Sequence, residues 1–244
     1  MLFRSDPPRI MKLILGPENL QTEFEFILYK VSGNLMFSSN KILSKKYYNI
    51  GLYLSGGLDS AALLCLILAE LREIGKLDSV PITCFTVNKN DGLTFYSNQV
   101  IKRIEEKYDV SIEHINNIAN DDNQSSLGNI GPTAIKFVTT YHSGMVVYMA
   151  HNRMAPDNIR PFNQRLLIDY GMSTSNSWYL SPFLFLHKPQ ILDIFYKLDC
   201  DEIIPYTHSC NVLKEGACGE CYSCAERKWG FDSLGKTDPG TIIV

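Results

Sequence analysis

Six residues, Ser55-Gly56-Gly57-Leu58-Asp59-Ser60, constrain this chain more than any other stretch because of what flanks them. Before them runs the short apolar segment Ile50-Gly51-Leu52-Tyr53-Leu54, and after them, from Asp59 to about Ile74, comes a long helical pattern. A strand, a glycine turn and a helix in that order aim backbone N–H groups and the positive end of the helix dipole at one point. Two glycines there let a bulky anion approach the backbone closely. The motif therefore reads as a phosphate cradle. Ser55 and Ser60 can add hydroxyl donors, and Asp59, a poor direct partner for phosphate, suits a Mg²⁺ bound to that phosphate. The simpler alternative is a Gly-Gly turn in which Asp59 and Ser60 only cap a helix. No GxxxxGK[ST] stretch occurs, so this is not a Walker loop.

The same alternation continues. Val80–Val87 reads as a strand, Gly92–Tyr108 as a helix and Val110–Ile115 as a strand. A polar, Gly-containing loop over Ala119–Gly131 follows, then a helix near Thr133–Tyr141, a strand at Met145–Ala150 and a helix at Pro189–Leu198. An α/β fold built on a doubly wound parallel sheet is the economical reading. The first fifty residues differ: Met11–Leu15, Phe24–Val31 and Asn34–Phe37 are strand-like runs separated by turns, which suggests a small β-rich appendage. Three segments are expected: 1–48, the appendage; 49–208, the α/β domain with the phosphate cradle; and 209–244, the cysteine segment. At 244 residues and 45% hydrophobic, the chain is long and apolar enough to bury a sizeable core.

A net charge of −3, from 23 basic and 26 acidic residues, disfavours wholesale binding to nucleic acid. The longest apolar stretch, Ala61–Ala69, falls far short of the roughly 20 residues that span a bilayer, and the start lacks the apolar centre of a signal peptide. The expectation is a soluble cytoplasmic protein with no membrane partner. Of seven cysteines, Cys210, Cys218, Cys221 and Cys224 fall within fifteen residues, whereas Cys65, Cys84 and Cys200 are scattered in apolar surroundings. Two overlapping CxxC steps plus one upstream cysteine can surround a tetrahedral ion with four thiolates. Such a closed site points to structural Zn²⁺, with an iron–sulfur cluster as the alternative.

The SGGxDS pattern resembles that of the PP-loop ATP pyrophosphatases, which bind the pyrophosphate part of ATP there and activate a carbonyl oxygen by transferring AMP to it. The cysteine segment narrows the resemblance. Ser209-Cys210, Cys218-Gly219-Glu220-Cys221-Tyr222-Ser223-Cys224, Arg227, Gly230-Phe231 and Asp238-Pro239 together resemble the C-terminal signature of the 7-cyano-7-deazaguanine synthases, the QueC family. The resemblance runs from about Gly51 to Gly240 and implies an adenine-nucleotide hydrolase-like fold. It implies an ATP site formed by Leu54, Ser55, Gly56, Gly57, Leu58, Asp59, Ser60, Thr86 and Val87, with Asp59, Ser60 and Lys188 as catalytic residues. His151-Asn152 and the Pro156–Phe162 stretch resemble the family's substrate loop, which makes Asn152, Asp157 and Arg160 the candidates to hold a flat purine-like acid.

The implied enzyme takes 7-carboxy-7-deazaguanine, ATP with Mg²⁺, and ammonia through an acyl-adenylate to an amide and then to the nitrile. Three departures from the family pattern bear on the nitrogen donor: the β-rich start, Val87–Asp91 after the second strand, and Gly131–Lys136 before the middle helix. They keep open a QueC-like branch, such as those in antiviral defence gene clusters, that hands the adenylated acid to an amine of a partner protein. The added β segment would then be a docking surface. tRNA thiolation is a further alternative, but it needs a reactive thiol outside the metal set and a basic groove. A non-catalytic binding module would predict damage to SGGLDS, and none is visible. A homodimer is compatible with an enzyme of this size.

Overall fold

The computed structural model describes residues 11–26, 35–36, 42–43, 49–87, 93–118, 145–156 and 179–240. The expected loop at 119–131, the helix near 133–141, the Asn88–Asp91 and Gly131–Lys136 departures, and the candidates Asp157 and Arg160 lie outside the described residues. Strands β1 (Met11–Leu15) and β2 (Thr22–Phe26) form an antiparallel hairpin, and β3 (Leu35–Met36) and β4 (Ile42–Leu43) form a second small antiparallel pair. The main sheet contains β5 (Asn49–Tyr53), β6 (Ile82–Val87), β7 (Glu113–Ile118), β8 (Met145–Tyr148) and β9 (Tyr179–Leu180). Its strands are all parallel, in the order β7-β6-β5-β8-β9. The helices among the described residues are α1 (Leu58–Glu73), α2 (Leu93–Tyr108), α3 (Lys188–Lys197) and α4 (Tyr222–Leu234). None is long and apolar enough to cross a membrane.

The strand order locates the ligand crevice. From β5 the chain winds outward through β6 to β7, then returns to the other side of β5 for β8 and β9. The carboxyl ends of β5 and β8 therefore flank a topological switch point, where open α/β sheets bind ligands. Central placement explains the composition of the parts around it. All six residues of β6 are buried, as a doubly covered parallel strand requires. Helix α1 is buried almost all round, from Leu58 through Leu71 apart from Asp59 and Ala69, and it packs against both β5 and α3.

The hairpin β1–β2 is continuous with this core. Period-two alternation turns Leu15, Phe24 and Phe26 inward, and Phe24 meets Phe183 while Phe26 meets Tyr148 in tilted ring contacts. Lys12 pairs with Glu25 at 2.7 Å on the outer face, a solvated pair that adds little. The turn after β1 is tied to α3 through Gly16 N–H to Asp193 Oδ2 at 2.9 Å and Gln190 Nε2–H to Leu20 O at 2.8 Å. Among the described residues the expected helices and strands recur within a few residues, with β7 displaced to Glu113–Ile118. The sequence reading did not anticipate helix α4 within the cysteine segment, nor the 3-10 turn Asp201–Tyr206.

Helix α4 packs closely on α3 at Gly230. A Cβ there would stand 2.6 Å from Leu192 Cδ1 and 2.9 Å from Lys188 Cγ. Gly230→Ala should therefore destabilise the protein by about 1–3 kcal/mol, the usual range for overpacking. An unchanged denaturation midpoint would mean that the two helices can part without cost.

Candidate active site and metal centre

The phosphate loop is organised by its own hydroxyls. Gly56 adopts φ +75°, a conformation few residues but glycine accept, which turns the chain from β5 into α1. The Ser60 hydroxyl donates to Gly57 O at 3.1 Å and accepts from Ser55 N–H at 3.2 Å. Its one proton being used, the 3.1 Å contact between the two hydroxyls must run from Ser55 to Ser60, and Ser55 Oγ also accepts from Gly57 N–H. Both serines thus shape the loop rather than point spare donors outward. By helix geometry the first-turn N–H groups of Leu58, Asp59 and Ser60 have no intrahelical acceptor, and they open at the switch point.

Thr86 and Leu54 form the floor. The Thr86 hydroxyl donates to Leu54 O at 2.7 Å, so the 2.8 Å contact with His114 has Nε2–H of the ring as donor. This joins β5, β6 and β7 just behind the loop, with Thr86, Leu54 and Val87 all buried. Burial pushes the His114 pKa down from 6.5 to about 4. Between those values the unfolded chain binds a proton that the folded chain refuses, so stability falls as pH drops through this window. For a half-buried ring the loss is about 2 kcal/mol after allowance for screening by solvent. His114→Gln should flatten the melting temperature between pH 6.5 and 4. Part of the slope should stay with His151 and His187, which burial also lowers; an unaltered slope would show that His114 does not carry it.

Asp59, at the first turn of α1, does not stand alone. Lys188 Nζ donates to its Oδ1 at 2.5 Å and Oδ2 at 2.6 Å, and also pairs with Glu226 Oε2 at 3.1 Å. A lysine as first residue of a helix opposes the helix dipole. It persists in α3 because two carboxylates face it, from α1 and α4. Burial works against the Lys188 charge, but Asp59 and Glu226 outweigh it and leave the ammonium firmly protonated. Burial, helped by Glu226 and opposed by Lys188, raises the Asp59 pKa above the ordinary carboxylate value.

Glu226 is held in turn. Its Oε1 accepts from Tyr222 O–H at 2.9 Å and from Asn152 Nδ2–H at 3.2 Å, and Tyr222 Oη accepts from Ala155 N–H at 3.1 Å. Asn152, expected as a substrate contact at the end of β8, is thereby joined to Asp59 and Lys188 in one network. Glu226 and Tyr222 were not singled out from sequence. The available signal was their i, i+4 spacing on a helix whose presence the cysteines obscured.

The Sγ atoms of Cys210, Cys218, Cys221 and Cys224 all lie within 4.8 Å of one another, a set that can hold a metal ion. Three backbone N–H groups support sulfur charge there: Leu213 and Val212 donate to Cys210, and Cys221 to Cys218. At Cys210 burial is outweighed by these donors, and its thiol comes down to about 6; burial pushes Cys224 up to about 12.

A strap at 207–210 links this centre to the phosphate loop. His208 N–H donates to Gly56 O at 3.0 Å, its ring stacks on Tyr96 at 4.4 Å, and Nε2–H reaches Gly216 O. Arg227 clamps the strap and the chain end, with a bidentate pair to Asp238 and bonds to Thr207 and Gly240. The Arg and Asp-Pro of the signature therefore have a structural role. A cavity of about 460 Å³ beside Cys210, Arg227, Phe231 and Asp238 lies on the metal side of the strap. None of residues 55–60 lines that cavity.

Residues 145–235 match the family model of the queuosine biosynthesis protein QueC. This covers β8, α3, the cysteines and α4 but not the phosphate loop. Among curated relatives, a 7-cyano-7-deazaguanine synthase of Methanococcus maripaludis is 34% identical over 98 residues, 36% of this chain and 41% of its own length. One of Oceanobacillus iheyensis is 41% identical over 61 residues, 24% of this chain and 26% of its own. The aligned part thus spans about two fifths or less of these relatives. A solved structure, the U34-tRNA thiolase NcsA from Methanococcus maripaludis with its [4Fe-4S] cluster, covers 82% of this chain and 70% of its own at 16% identity and a TM-score of 0.44. The matched segment, which carries the four cysteines, Lys188 and Glu226, is thus similar to the QueC family, at modest identity and over part of the chain.

Proposed function

We propose that the protein is an ATP-dependent ligase that adenylates the carboxylate of 7-carboxy-7-deazaguanine and joins it to a nitrogen nucleophile. The observation that carries this reading is the intact SGGLDS loop at the switch point, with Asp59 joined through Lys188 to Asn152 of the substrate side. The carboxylate oxygen attacks the α-phosphorus of ATP and pyrophosphate leaves. Ammonia then attacks the acyl carbon, expelling AMP and leaving the amide. A second adenylation, on the amide oxygen, lets AMP leave with two protons lost, which gives the nitrile.

No side-chain nucleophile is needed, so positioning and charge compensation supply the catalysis. The N–H groups of Leu58, Asp59 and Ser60 hold phosphate oxygens. Lys188 supplies positive charge beside them, and Asn152, with Asp157 and Arg160, binds the base and its acid. Mg²⁺, when bound through Asp59, would neutralise charge on the phosphates.

The metal assigned to the four cysteines is zinc. Thiolates sharing one tetrahedral zinc, with bonds of about 2.3 Å, stand roughly 3.8 Å apart. Sulfurs gathered within 4.8 Å suit that, whereas thiolates around a four-iron cube must stand farther apart. Against thiolation, Cys65, Cys84 and Cys200 are all fully buried, and burial raises the first two well away from thiolate character.

The test is mass spectrometry of the protein with Mg·ATP and 7-carboxy-7-deazaguanine, with and without ammonium. Nitrile formed only with ammonium supports the synthase. AMP without free nitrile would transfer the reading to a partner protein's amine as acceptor, and no AMP would overturn the adenylation.

A further inference from the structure

Lys188 is one cation between two carboxylates. Its side chain is 7% exposed, that of Glu226 6% and that of Asp59 22%, so with both carboxylates ionised the cluster carries one negative charge in excess. The three bonds are unequal. Both Asp59 oxygens are engaged at 2.5 and 2.6 Å, while Glu226 stands back at 3.1 Å. Glu226 cannot follow the lysine freely, because Tyr222 and Asn152 pin its other oxygen. In this arrangement both Asp59 oxygens are turned to the ammonium, and a cation on the phosphates has to compete with Lys188 for them.

We propose that Glu226 is a positioning residue, a reserve counter-ion that keeps Lys188 in place when Asp59 releases it to take a phosphate-bound divalent cation. The inference rests on the nucleotide reading above and adds a residue to it. Charge balance favours the exchange. Before it, two carboxylates share one ammonium; after it, Lys188 and Glu226 form a neutral pair and Asp59 faces the new cation. Without Glu226, Asp59 would be the one carboxylate on the ammonium, and releasing it would leave only the phosphate oxygens to balance a buried charge, which is costly. Lys188 would then hold Asp59 back.

Glu226→Gln keeps the size and the acceptor for Tyr222 and Asn152 but removes the charge. The experiment is calorimetric binding of α,β-methylene-ATP across a Mg²⁺ titration, on the wild type, Glu226→Gln, Asp59→Asn and the double variant. Zinc content and melting temperature are read in parallel. The expected result is that Glu226→Gln weakens Mg²⁺-dependent binding by about tenfold, a common size for coupling between groups. The loss should be much smaller without Mg²⁺, when Asp59 has no cation to take, and the double variant, which strips Lys188 of both carboxylates, should melt well below either single variant. Equal losses with and without Mg²⁺ would mark Glu226 as merely structural and overturn the proposal, as would unchanged binding by the single variant. Failure of the wild type to bind the analogue at all would instead overturn the nucleotide reading, and the reserve role with it.

Discussion

Asp59→Asn should reduce AMP formation at least about a hundredfold, the scale on which removing one preorganised charge-stabilising group acts, while leaving the fold and the metal content intact. The second half follows from the ion triad. Asparagine removes the excess negative charge and leaves Lys188 paired with Glu226 one to one, so no buried charge is stranded and the melting temperature should change little. Lys188→Met is the contrasting case. It strands Asp59 and Glu226 side by side with no ammonium between them, and breaking a buried pair in this way costs about 3–5 kcal/mol. Turnover of a Mg·ATP reaction and differential scanning calorimetry on the two variants separate the roles. An Asp59→Asn protein that melts far below the wild type, or loses zinc, would mean that Asp59 is an anchor of the fold and that the SGGLDS loop has been given a chemistry it does not perform.

The strand, glycine turn and helix around Ser55 were legible in the sequence because everything they need is local. The run before Ser55, the glycine turn and the start of α1 lie within about one strand and one helical turn, and a short window records them all. The four cysteines were legible for the same reason. What joins these two centres was not. Lys188 reaches Asp59 across 129 positions, and Asn152 reaches Glu226 across 74. No periodicity reports such pairings, because only the strand order β7-β6-β5-β8-β9 brings them to one crevice. Helix α4 escaped notice for a different reason: CxxC spacing and Gly230 resemble loop chemistry, although Cys221 is its N-cap and Gly230 its point of contact with α3. The serines show the limit of residue-type reasoning. Their hydroxyls were read as donors to a phosphate, and the structure adds bonds within the loop that residue type alone does not reveal.

Cys221→Ser should release the metal and weaken the C-terminal segment, and its geometry makes it a clean probe. Cys221 is the N-cap of α4, where serine is among the preferred residues, so the substitution maintains or improves the helix start while removing a soft ligand. Its backbone N–H, which donates to Cys218 Sγ, is untouched. Any loss of stability then belongs to the metal. Because binding a structural ion is itself folding free energy in small metal modules, the loss should reach several kcal/mol. It should also spread, since α4 carries Arg227, which clamps the strap at 207–209, and Glu226, which faces Lys188. Metal analysis of the purified protein should find one zinc and no iron per wild-type chain, and much less zinc in the variant. Limited proteolysis should open the variant near 210–220 first, and AMP formation should fall after the metal is lost. Full zinc occupancy in Cys221→Ser would exclude a site of four thiolates. Loss of zinc with an unchanged melting temperature would show that the ion does not stabilise α4, and the link from metal centre to phosphate loop would then have to run through His208 and Gly56 alone.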